Sequence, residues 1–165
     1  MHLLITGTPG TGKTSVAKAL TQELKILYVN EMEFAVKKGI GEWDTEENEL
    51  VVPLEKLKKA LEKELKGKKN YVLDGHMLCE IKLPVDLVIV LQVHPEILEE
   101  RLERKRYKMD KLLDNVFCEG IEYCKKHAIR RYGTKKVVCL QNHKSIKDTV
   151  SNILLVLGKR GLVNE

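Results

Sequence analysis

The sequence predicts an α/β fold, a five-stranded parallel sheet with helices on both faces. Three observations predict it. Short apolar runs alternate along the chain with segments of helical periodicity. One run, Leu87–Leu91 (LVIVL), is apolar throughout, as a strand covered on both faces must be. The glycine-rich stretch Gly7-Thr8-Pro9-Gly10-Thr11-Gly12-Lys13-Thr14 joins the first apolar run to the first helical pattern. The 165 residues suit one domain, 1–165, with a core of Leu, Val and Ile.

His2–Thr6 reads as a short buried strand. Lys13–Leu24 is helical, with Val16, Ala17, Leu20 and Leu24 on one face. Ile26–Val29 is the second strand. Asn30–Val52 is mixed and acidic, and reads as an inserted arm. Pro53–Lys66 is a helix with Pro at its start and Leu54, Leu57, Leu61 and Leu65 in a stripe; Gly67 ends it. Tyr71–Leu73 and Leu87–Leu91 are the third and fourth strands. Pro95 opens a helix toward Arg104, and a basic break follows at Lys105–Met109. One long helix, Asp110 to Arg131, is expected to bury Leu113, Val116, Phe117, Ile121 and Cys124. Val137–Leu140 is the fifth strand. Ser145 with Asp148 resembles a capping box. The last helix carries Ile146, Val150, Ile153, Leu154 and Leu157 on its inner face.

The formal charge of +5 is modest, but its distribution is uneven. Glu31 to Glu49 holds seven acidic residues against two lysines, and Arg101 to Lys111 holds six basic residues against two acidic ones. Such runs are either solvated surfaces or, here, an acidic arm and an anion-handling lid. Cys79, Cys118, Cys124 and Cys139 form no CxxC pair and no zinc spacing, so reduced thiols in a cytoplasmic protein are expected. No run approaches eighteen apolar residues, and the amino terminus does not read as a signal peptide.

Residues 7–14 fit GxxxxGK[ST], the P-loop pattern. A triphosphate needs several backbone N–H groups turned inward, and the necessary bends favour Gly10 and Gly12. The following helix points its positive end at the same phosphates. Lys13 supplies a charge near the β and γ phosphates. Thr14 offers a hydroxyl to magnesium, and Ser15 can hydrogen-bond phosphate. The alternative, a plain glycine-rich turn, does not account for the strand before it and the amphipathic helix after it.

Ligands in such sheets bind beyond the carboxyl ends of the strands. Asp74 ends the third strand there, in Tyr71-Val72-Leu73-Asp74-Gly75-His76. Alone it could be a turn former. Beside a P-loop it is the expected carboxylate for magnesium or its waters. His76, two residues on, can polarise a water or contact the γ phosphate; its bland alternative is packing. Arg101, Arg104, Lys105, Arg106, Lys108 and Lys111 surround the break between helices. They read either as a lid that stabilises charge on a moving phosphoryl group or as a solvated helix end. No Asn-Lys-x-Asp segment of the guanine-reading kind is present.

With the loop, the strand-end Asp and the basic lid in place, the chain resembles nucleoside monophosphate kinases, in particular adenylate kinase. Asp74-Gly75-His76 and the short lid are similar to one branch, the adenylate-kinase-like ribosome-assembly ATPases related to the coilin-interacting nuclear ATPase protein. Tyr28-Val29-Asn30, Glu100-Arg101-Leu102-Glu103, Arg106-Tyr107 and Asp114-Asn115-Val116-Phe117-Cys118-Glu119 extend the resemblance over nearly the full length.

The resemblance implies a monophosphate-binding arm near 28–51 and a lid near 104–114. It implies ATP on Gly10, Gly12, Lys13, Thr14 and Ser15, with magnesium at Thr14 and Asp74. A lid cation would be Arg104 or Lys105. Arg101 would lie against the adenine, and Asn142, His143 and Lys144 would border the base. The activity implied is transfer of the ATP γ phosphate to AMP or another monophosphate, with ATP hydrolysis beside it. The alternative is an ATPase assembly factor in which water is the main acceptor. The process implied is small ribosomal subunit maturation, with a platform ribosomal protein and pre-ribosomal RNA as partners. Two departures stand out. His76, Met77 and Leu78 replace the Phe-Pro-Arg of a standard adenylate kinase, and the arm has Val36 followed by Lys37 and Lys38 where an Arg is usual. Both remove an arginine from the acceptor side.

Overall fold

A computed structural model describes residues 1–163. Its strands are β1 (His2–Thr6), β2 (Leu27–Asn30), β3 (Glu42–Asp44), β4 (Glu49–Val51), β5 (Tyr71–Asp74), β6 (Leu87–Gln92) and β7 (Val137–Gln141). Its α-helices are α1 (Lys13–Leu24), α2 (Glu31–Lys38), α3 (Leu54–Leu65), α4 (Pro95–Arg104), α5 (Met109–Gly120), α6 (Tyr123–Tyr132) and α7 (Ile146–Lys159). A short 3-10 turn covers Met77–Glu80. Five strands form one parallel sheet, as the sequence predicts, and the structure orders them β2-β5-β1-β6-β7. β3 and β4 pair separately as an antiparallel hairpin.

Alternation along the strands builds a core on each face. Leu3, Ile5, Leu87, Ile89 and Leu91 pack with Val16, Ala17 and Leu20 of α1 and Val150, Ile153 and Leu157 of α7. Leu4, Leu73, Val88 and Val90 pack on the other face with Leu57, Leu61 and Leu65 of α3 and Cys124, Ala128 and Tyr132 of α6. Each fully buried aliphatic side chain contributes about 1.5–3 kcal/mol. β1 lies between β5 and β6. The loop after β1 therefore opens beside the end of β5, where Asp74 sits.

Local signals set most boundaries. Asn30 caps α2 by accepting from the backbone of Met32 and Glu33. Pro95 occupies the first turn of α4, and Ser145 with Asp148 forms a true capping box on α7. Arg106, at φ 56, marks the basic break between α4 and α5.

Three expectations need correction. The second strand is Leu27–Asn30, one residue later than expected. The helix expected from Asp110 to Arg131 is two helices, broken where Glu122 adopts φ 56. Leu113, Phe117 and Ile121 are exposed rather than buried, as is Ile146 of α7. α5 instead turns Leu112, Val116 and Glu119 inward. No helix among the described residues is long and apolar enough to cross a membrane.

Candidate active site

The chain leaves β1 and turns through the glycine-rich loop into α1. Gly10 and Gly12 sit at φ 93 and 91, a left-handed region that disfavours side chains. Both also lie against other parts of the chain. A Cβ on Gly10 would fall 2.8 Å from Leu98 and 2.9 Å from Leu102 of α4, and one on Gly12 would strike the Asn142 side chain. The Asn142 amide donates to Thr11 O at 2.7 Å, and Thr149 Oγ1 donates to Asn142 Oδ1 at 2.6 Å. No side chain caps the start of α1, so its first N–H groups are not occupied by a capping side chain. Lys13 Nζ donates to Thr8 O at 3.2 Å. Burial lowers the Lys13 pKa, with the Asp74 and Glu31 carboxylates acting the other way.

Asp74 is fully buried at the end of β5. Its Oδ2 accepts from Thr14 Oγ1 at 2.8 Å, Tyr28 Oη at 2.9 Å and Asn30 Nδ2 at 2.9 Å. Its Oδ1 is buried with no hydrogen-bond partner among the described residues. Burial, and then the Asp74 charge, push the Tyr28 phenol upward, so Tyr28 stays a neutral donor. A carboxylate oxygen left bare in this way calls for a cation or its waters. Hard oxygen donors of this kind suit magnesium, which keeps waters and phosphates as its other ligands.

Below Asp74 the chain passes through Gly75 to His76. Glu31, the first residue of α2, is 1 % exposed and lies under this turn. Its carboxylate accepts from the backbone N–H of His76 at 2.8 Å and of Met77 at 3.1 Å. His76 Nδ1 lies 2.8 Å from Glu31 Oε1. A Cβ on Gly75 would run into that carboxylate, which is why glycine stands there.

Glu119 is also buried. It reaches from α5 to accept from Thr8 Oγ1 at 2.6 Å and from Val93 N at 3.0 Å. It thereby ties the phosphate loop to the end of β6. Opposite it, Arg101 donates to Asn142 O at 2.8 Å and to Gly10 O at 3.4 Å. Gly12, Ser15, Arg101, Arg104, Lys105 and Lys144 line a cavity of about 340 Å³ beside the loop.

A family profile described as "AAA domain" matches residues 3–144. A Thermococcus gammatolerans protein described as "Putative adenylate kinase" is 35% identical over 98% of this chain and 88% of its own length. The chain belongs to that adenylate-kinase-like family. A Pyrococcus furiosus member with the same description is 48% identical over 74% of this chain, and the match spans 65% of that protein, just under two thirds of its length. Among solved structures, shikimate kinase from Aquifex aeolicus superposes with a TM-score of 0.68 at 20% identity, covering 98% of this chain and 99% of that one. Shikimate kinase from Bacteroides thetaiotaomicron gives 0.70 at 19%, covering 95% and 98%. Both share the P-loop kinase fold.

Seen as a member of this adenylate-kinase-like family, the chain gathers the residues expected from its sequence unevenly. Gly10, Gly12, Lys13, Thr14, Ser15, Asp74 and Arg101 converge around one loop. His76 sits at the same rim, but its ring is committed on one edge to Glu31. Asn142 is buried and its amide is spent on Thr11 and Thr149, so it braces the loop. Arg104 borders the cavity beside the loop but is 80% exposed, with Glu100 at 3.8 Å. Tyr28, Glu31 and Glu119 were not singled out from the sequence by chemistry. Gly75 after a buried strand was the available signal for a close approach from Glu31.

Proposed function

We propose that the protein is an ATP-dependent nucleoside monophosphate kinase of adenylate kinase type, converting ATP and AMP to two ADP, with ATP hydrolysis as an accompanying activity. The observation that carries this reading is Asp74, buried beside Thr14 and within the field of Lys13, with one oxygen bare. The loop N–H groups and Lys13 would bind the β and γ phosphates and neutralise charge as the γ group moves. Thr14 and Asp74 would hold magnesium, which when bound offsets phosphate charge. Arg101 and the cavity beside it would take the base. Arg104 or Lys105 would close from a lid near 104–114, within a single domain. The insertion near 28–51 would hold the acceptor. His76, oriented at the rim, would align the acceptor oxygen.

A second reading has a specific observation in its favour. Val36, where an arm arginine is usual, is 68% exposed, and His76 stands close to where a phosphate-gripping arginine would follow. Water would then be the main acceptor. The protein would act as an ATPase assembly factor in small ribosomal subunit maturation, with a platform ribosomal protein and pre-ribosomal RNA as partners. That process rests on the sequence resemblance alone.

The deciding experiment measures ATP turnover with magnesium, with and without AMP, resolving ADP from free phosphate. AMP-dependent ADP without matching phosphate is the expected result. Phosphate release indifferent to AMP would replace the kinase reading with the ATPase one. Turnover surviving in Lys13→Ala would remove both.

A further inference from the structure

We propose that Glu31 is a positioning residue for His76: it fixes the imidazole with its proton on Nδ1 and so presents a bare Nε2 to the acceptor, whether monophosphate or water. The inference rests on the reading of His76 as the group that aligns the acceptor.

Four observations converge on Glu31. Its carboxylate is 1 % exposed, although most buried carboxylates are paired. It spends hydrogen bonds on two successive N–H groups, those of His76 and Met77. It holds Nδ1 of the same histidine at 2.8 Å while the ring keeps 41% of its side-chain surface open. Gly75 carries no side chain where any Cβ would collide with it. Backbone and ring of one residue are therefore gripped by one acid. A carboxylate can only accept, so it selects the tautomer with the proton on Nδ1. Nε2, on the other edge of the ring, is then an acceptor for a hydroxyl or water proton. Carboxylates that orient metal-bound histidines cost about 10–100-fold when changed, and Glu31 would orient His76 by the same kind of contact.

A purely structural Glu31 would only pin the turn after β5. One oxygen, Oε1, takes the His76 N–H and faces Nδ1, so Glu31→Gln with its amide oxygen there keeps the tautomer, whereas Glu31→Ala frees the ring. ATP turnover, the KM for ATP and thermal stability are measured for the wild type, Glu31→Gln, Glu31→Ala, His76→Ala and the double alanine variant. The His76 tautomer is read from ring nitrogen shifts by NMR. We expect the proton on Nδ1 in the wild type and in Glu31→Gln, and a mixture of tautomers in Glu31→Ala. We expect Glu31→Ala to lower kcat roughly 10-fold or more, with KM for ATP within about twofold, recovery in Glu31→Gln and no further loss in the double variant. Wild-type kcat in Glu31→Ala, with His76→Ala impaired, would overturn the inference. So would a wild-type proton on Nε2, a result that needs no variant to fold. Wild-type turnover in His76→Ala would instead remove the reading of His76 itself.

Discussion

Lys13 is a buried cation held among carboxylates. Burial lowers its pKa below the ordinary 10.5, against the pull of Asp74 and Glu31. Between the folded pKa and 10.5 the unfolded chain binds more protons than the native one, so stability rises with pH through that window. Below the folded pKa the full cost of the buried charge is present. Lys13→Met should therefore raise the melting temperature of the nucleotide-free protein, roughly 2–4 °C for each kcal/mol relieved. It should also remove stabilisation by magnesium-ATP and abolish turnover. Melts with and without nucleotide check this; an unchanged or lower nucleotide-free Tm would refute it. The loop residues were legible because Gly10 through Ser15 are contiguous, and their spacing alone implies a cradle. Tyr28, Asn30 and Glu31 were not, because they meet Asp74 and His76 across 44 to 46 positions of sequence.

At the scale of the element, α5 shows how a pattern misleads. Met109, Leu113, Phe117 and Ile121 recur every four residues and form the more apolar stripe, yet all four are exposed. The stripe that packs is Leu112, Val116 and Glu119. The sequence pattern placed Val116 inside but passed over Leu112 and Glu119, an acid that reads as solvent-facing. The acid is buried because Thr8 and Val93 supply donors from elements far away in sequence. The same blindness joined α5 to α6, since nothing in Ile121-Glu122 marks a break except a left-handed Glu122. The stability consequence inverts intuition. Glu119→Ala leaves two buried donors without acceptors, at about 1–3 kcal/mol each. Phe117→Ser touches only an exposed face and should stay within about 0.5 kcal/mol of wild type. Urea unfolding of the two variants decides it, and a larger loss in Phe117→Ser would show that this face is covered.

Across the whole molecule, the parallel sheet covered on both faces was legible from its apolar runs and helical connections, while the strand order came only from the structure. The β3–β4 hairpin was seen only as an acidic arm, because three-residue strands leave too little pattern. The structure gives that arm a contact. Lys111 of α5 donates to Glu49 at 2.6 Å and to Glu47 O at 2.8 Å, joining the hairpin to the basic segment. The pair is exposed and hence screened by salt, a latch that opens easily. The proposal that the phosphate loop and the insertion each bind a nucleotide makes a distinct prediction. A dinucleoside pentaphosphate spans an ATP site and a monophosphate site at once. If the insertion holds a monophosphate, this compound should bind about 100-fold more tightly than ATP. At matched saturating concentration that adds about 2.7 kcal/mol, or roughly 5–10 °C in Tm. If water is the acceptor, the second nucleoside finds no site, and the two ligands should stabilise equally. The difference between the two melting curves thus reports on the acceptor side alone, without reference to turnover.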